Sequence, residues 1–132
     1  MRNMDETSIL ASTKKLASVH EEDNHFDLDI IVAINAALFT LNQLGVGPDE
    51  PFVVKDEYDS WEDFIPEGDS LAEIVKQYVA FKVKLAFDPP TNSFLVDNIR
   101  KQLDEYEFRM LVEAEKTKLA EPDMSDIYVE ES

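Results

Sequence analysis

The sequence predicts an all-α fold, a small bundle of about four helices. A long aromatic-containing loop separates the second helix from the third, and an acidic C-terminal tail closes the chain. Three observations predict this. Apolar residues recur at three- and four-residue steps in successive long stretches. Glycine and proline cluster where those stretches end. A chain of 132 residues, 44% hydrophobic and 31% charged, has the composition of one folded domain with a modest core. The reading is one helical domain over residues 1–118 and an acidic tail over 119–132, flexible or ordered on assembly.

The first helix is expected over residues 8–19, SILASTKKLASV. Ser8 is of capping type, and Ile9, Leu10, Leu16 and Val19 form a weak apolar face. A polar link follows, in which His20 and His25 flank a run of acids. Two histidines among acids raise the question of a metal, but no helical i, i+4 pairing fixes their geometry, and no metal site is assigned.

The second helix, FDLDIIVAINAALFTLNQLG, has Asp27 or Asp29 as its cap. Ile30, Ile34, Leu38 and Leu41 make one stripe, widened by Ile31, Ala37 and Leu44, and Gly45 ends it. Ala33, Ala36 and Ala37 either admit another helix closely or simply favour helix.

From Val46 to Gly68 the helical period is lost between Gly47-Pro48 and Pro66. Phe52 to Val54 reads as a short extended piece. Tyr58, Trp61 and Phe64 are three apart, as in one helical turn or in an aromatic loop packed on the core. Trp61 and Phe64 are candidates for partner docking, with core anchoring the competing role for the tryptophan.

A capping box, Ser70 with Glu73, opens the third helix. Leu71, Ile74 or Val75, Tyr78, Phe81 or Lys82, and Leu85 keep helical spacing. Lys76, Lys82 and Lys84 gather toward its end and suit an acidic face on this subunit or a neighbour. Asp88-Pro89-Pro90 then breaks the chain, because proline lacks an amide hydrogen and its ring clashes with the preceding turn. Thr91 or Ser93 caps a fourth helix starting near Phe94, with Val96, Ile99, Leu103, Tyr106 and Met110 at alternating steps of three and four. So short a turn lays this seam antiparallel on the third helix. Beyond Lys118 the tail, AEPDMSDIYVEES, is polar except for Ile127, Tyr128 and Val129, a candidate docking strand or linear motif.

The formal charge of −17 opposes any direct grip on a nucleic-acid backbone. It suits the wall of a passage that repels nucleic acid, a protein that imitates nucleic acid to block a basic partner, or solubility alone. The chain has no cysteine, which excludes disulfides and thiolate chemistry. The start, MRNMDETSIL, lacks the pattern of a secretion signal, and no apolar run reaches membrane-spanning length. With three glycines there is little room for a phosphate-binding loop, and there is no nucleophile elbow. No catalytic residue and no cofactor is assigned, and the chain is read as a non-enzyme.

Across residues 9–111, QLGVGP (43–48), WEDF (61–64), YVAFKVKLAFDPPTNSF (78–94) and EYEFR (105–109) occur in the order and spacing of a known family. They resemble the small head–tail connector proteins of tailed bacteriophages. The resemblance implies a helical structural protein made in the bacterial cytoplasm and carried in the virion neck. It implies a closed ring of about twelve copies beneath the portal protein. Such a ring would extend the DNA channel, help retain the genome and present a surface to the next neck or tail-completion protein. Genomic DNA would pass through without specific binding, and no membrane is involved. The rival reading, from the charge, is an acidic DNA mimic that inhibits a host nuclease or polymerase.

Overall fold

A computed structural model describes residues 4–18 and 24–120, and these residues are mostly helical, with no strand among them. Its elements are α1 (Met4–Thr7), α2 (Ile9–Leu16), α3 (Asp27–Gln43), α4 (Trp61–Phe64), α5 (Ala72–Phe87) and α6 (Ser93–Ala120). Val19, His20 and the tail with Ile127, Tyr128 and Val129 lie outside the described residues.

Ser8 caps α2 as its sequence suggests, its hydroxyl accepting from the Ala11 amide at 3.1 Å. The helix stops at Leu16, however, and Leu16 is exposed rather than part of an apolar face. The buried side of α2 is instead Ile9, Leu10, Ser12, Thr13 and Lys14, followed by Ala17. Ile9 and Leu10 belong to the expected apolar face, whereas Ser12, Thr13 and Lys14 are buried although polar, which apolar spacing does not signal.

Neither Asp27 nor Asp29 caps α3. The cap position is Phe26, with no side-chain bond, and both acids stand in the first turn, where they complement the helix dipole. At the other end the expectation holds. The Val46 amide reaches the Leu41 carbonyl at 2.9 Å and the Gly45 amide that of Asn42 at 3.0 Å, with Gly45 at φ 90°. That is a Schellman closure, which needs a left-handed residue where glycine has no Cβ penalty.

The core is built on α3 and α5. Ile30, Ile34, Ala37, Leu38 and Leu41 of α3 are buried, as are Val75, Tyr78, Val79 and Val83 of α5. Helix α2 adds Ile9 and Leu10, and α6 adds Leu103 and Met110. Each fully buried aliphatic side chain contributes about 1.5–3 kcal/mol. Helix α5 starts at Ala72, so Ser70 and Glu73 do not box it; the Leu71 amide takes the Asp69 carboxylate at 2.9 Å.

Helix α5 ends at Phe87, and Asp88 lies outside helical space at φ −146°, ψ 66° just before Pro89 and Pro90. The cap of α6 is Asn92, between the two residues expected. Its carbonyl accepts the Leu95 and Val96 amides and its side chain that of Phe94 at 2.8 Å. With 28 residues against 16, α6 is about 42 Å long and α5 about 24 Å. The excess carries α6 past the start of α5 to the end of α3, where a Cβ on Gly45 would stand 3.2 Å from that of Ala114.

Candidate assembly surfaces

The segment between α3 and α5 has little repetitive structure, yet it is pinned to the helices by polar contacts. Trp61 and Phe64 belong to α4, a single helical turn, and are only 4% and 3% exposed. The Trp61 indole N–H donates to the Ser12 hydroxyl at 2.6 Å, and that hydroxyl donates to the Ser8 carbonyl at 2.6 Å. Nearby, the Ile9 amide donates to the Asp59 carbonyl at 3.0 Å. Asn35 of α3 takes both backbone groups of Val54. Phe64 lies against Gly47, where an added Cβ would come within 2.6 Å of the ring. As docking candidates Trp61 and Phe64 are therefore corrected: both rings are enclosed and anchor the loop from within. Tyr58, three residues before Trp61, is the exposed member of the aromatic series.

The acids of this segment have a structural use that composition does not reveal. Asp59 Oδ2 accepts the amides of Lys55 and Asp56 at 2.6 and 3.1 Å, and Asp56 Oδ1 accepts that of Tyr58 at 2.9 Å. Asp63 Oδ2 accepts both the amide and the hydroxyl of Ser60, and Glu62 Oε2 the amide of Glu67 at 2.7 Å. A chain without helical bonds must satisfy its amides elsewhere, and a carboxylate is a strong acceptor. The result is an ordered loop with an acidic exterior, since Asp49, Glu50, Glu57, Glu62, Asp63, Glu67 and Asp69 are all exposed.

The α5–α6 hairpin is fastened by aromatics. Leu103 and Met110 of the seam are buried, and Val96, Ile99 and Tyr106 are half-buried. The Tyr106 ring stacks on Phe81 at 6.3 Å, and its hydroxyl donates to Gln77. The Tyr78 hydroxyl donates to Glu107 at 2.9 Å. Burial, and then the Glu107 carboxylate, push the Tyr78 phenol well above its ordinary range. The three lysines of α5 are engaged close by: Lys76 with Glu73, Lys84 with Asp88, and Lys82 over the Tyr78 ring at 5.6 Å.

The surface carries open grooves. One of about 300 Å³ is lined by Glu6, Ser60, Glu62, Glu67 and Lys76, with the edge of Trp61. Its serine donates to Asp63 at 3.1 Å, and no described histidine lines the groove. His25 packs edge-on against Phe26 at 4.7 Å, and no metal-holding cluster occurs among the described residues. No described helix is long and apolar enough to cross a membrane.

Sequence reading missed the exposed apolar residues. Leu28, Val32 and Phe39 of α3 and Phe94 and Phe108 of α6 face outward. The signal was present: α3 is apolar on two sides, and only the stripe with the more regular spacing was assigned.

No curated protein and no solved structure matches the chain. A family model described as phage connector protein matches residues 9–117. That span runs from the first residue of α2 through the pinned loop and the hairpin to the last turns of α6, and on it the chain belongs to the phage connector protein family, the head–tail connectors of bacteriophages.

Proposed function

We propose that this chain is a structural subunit of the phage neck, with no catalytic role. Copies of it form a ring beneath the portal protein, join the DNA-filled head to the tail, extend the channel and help retain the genome. The observation that carries the reading is the family match over residues 9–117, which runs from α2 into the last turns of α6 rather than over one motif. The geometry supports it. The hairpin and the pinned loop make a compact building block, and Asp56, Asp59, Glu62 and Asp63 of the loop are used to hold its backbone and Ser60. The acidic exterior suits a channel component as well, because a basic lumen would hold passing DNA by its phosphates.

The test is to incubate the purified protein with DNA-filled and with empty portal-bearing capsids, and to image the vertices by negative stain. An added ring of density at one vertex is expected. Binding to neither particle, together with tight binding to a host nuclease or polymerase, would replace the connector by a DNA mimic.

A further inference from the structure

Helix α3 has two apolar sides, and the subunit covers one. Opposite the buried stripe, Leu28, Val32 and Phe39 are 75%, 64% and 52% exposed. Their steps of four and seven residues keep them on one side of the helix. A helix that is apolar all round belongs in an interior, and this one lies at the edge of its own subunit. Beyond its first turn, where Asp27 and Asp29 flank Leu28, the stripe is free of charge, since no residue between Asp29 and Asp49 is ionisable in a chain of net charge −17. Two copies of so acidic a protein repel wherever charged faces meet. The outer side of α3 is a face on which a second copy escapes that penalty.

A complementary surface lies on the hairpin. An open, mostly apolar groove of about 260 Å³ runs between the start of α5 and α6, lined by Leu71, Ile74, Phe108 and Val112 together with Ser70, Arg109 and Glu113. Phe108 is 67% exposed. The charges at this groove are already matched within α6, Arg109 with Glu105 at 2.6 Å and Glu113 with Lys116 at 3.6 Å. Phe108, Val112 and Leu119 repeat the steps of four and seven found on α3. Each series therefore spans about 16 Å along its helix.

We propose that the outer stripe of α3 in one copy, Leu28, Val32 and Phe39, seats against Phe108, Val112 and the adjoining groove of the next copy. The two patches are different surfaces, so the contact is head-to-tail and repeats around an axis, as a closed ring requires. The proposal rests on the ring reading above and specifies which faces close it.

The natural absence of cysteine makes the test direct. Full-length V32C and V112C copies are mixed on portal-bearing capsids, treated with a short bis-maleimide and imaged in parallel. Links between V32C and V112C are expected in the mixture and not in either variant alone, and a V32C/V112C double variant should give a ladder. A visible ring with no such link, or with V32C linked only to V32C or to the portal, overturns these faces and leaves the ring reading standing. No ring on any particle overturns both. As a second measurement, Val32→Asp should abolish ring formation with an unchanged melting temperature; rings at the wild-type level would sink the proposal.

Discussion

Asn35 holds Val54 by both of its backbone groups: the Val54 amide donates to Asn35 Oδ1 at 2.8 Å, and Asn35 Nδ2 donates to the Val54 carbonyl at 3.1 Å. One side chain thus does what a paired strand would do for a buried residue that has none beside it. Asn35→Ala leaves an amide and a carbonyl without partners in a dry place, at about 1–3 kcal/mol each. Because both bonds are only part-buried, we expect a total in the lower part of that sum, about 2–4 kcal/mol, read as a clear drop in melting temperature. Hydrogen exchange at the Val54 amide should quicken in the variant. Wild-type protection there would show that the loop is held by its apolar residues alone.

Gly47 sits at φ 94° with the Phe64 ring where its side chain would be. Alanine there meets two obstacles, a left-handed backbone and a ring that cannot leave without opening the core. Gly47→Ala should cost about 1–3 kcal/mol from conformation and overpacking together. In a Phe64→Leu background the steric part should shrink, so the two changes should be less than additive in urea melts. Full additivity would mean that backbone conformation alone explains the glycine.

These contacts show where the sequence was legible. The period of α3, its glycine stop and the proline break between α5 and α6 follow from local rules, and the structure has them. Caps were harder, because Thr91, Asn92 and Ser93 are all cap-type residues and local chemistry cannot choose among them. The sequence predicts a box at Ser70, yet Ser60 too has an acid three residues on. The box forms at Ser60 because Trp61 and Phe64 are drawn into the core there. The outer stripe of α3 escaped notice for a related reason. An apolar residue on a helix says that something covers it, not whether the cover belongs to the same chain.

Lys14 is nearly enclosed, and its ammonium meets the Asp27 carboxylate at 2.7 Å, tying α2 to the first turn of α3. Removing the acid leaves a cation in a place water reaches poorly. Asp27→Ala should cost about 2–4 kcal/mol, less than a fully buried pair because Asp27 is partly exposed. The double change to Lys14→Met and Asp27→Leu should recover most of that loss, since a buried pair balances its own desolvation poorly. A double variant as unstable as Asp27→Ala would show that packing of the lysine stem, not its charge, is what matters.

Thr13 is fully buried, and its hydroxyl has no hydrogen-bond partner among the described residues. An unmet buried hydroxyl is a standing cost, and a methyl group of similar shape removes it. Thr13→Val should leave stability unchanged or raise it by about 0.5–1 kcal/mol. Chemical denaturation settles this, and a loss of more than about 1 kcal/mol would reveal a partner for the hydroxyl in solution.

Tyr78 makes the stability of the hairpin depend on alkaline pH, and the sign follows from its surroundings. Burial, and then the Glu107 carboxylate that accepts its hydrogen bond, raise the phenol above its ordinary value. The folded chain therefore keeps a proton that the unfolded chain gives up near pH 10. The contribution is fully present below about pH 10 and declines as pH rises above it, at up to about 1.4 kcal/mol per unit. Tyr78→Phe loses the bond to Glu107, so at pH 8 it should be less stable than the natural chain by about 1 kcal/mol. Between pH 9 and 11 that gap should narrow, because only the natural chain carries this titration while lysines and the remaining tyrosines act equally on both. Denaturation curves of the two proteins at matched pH measure it. A gap that stays constant to pH 11 would mean that the phenol ionises alike in both states, and that neither its burial nor Glu107 bears on its proton.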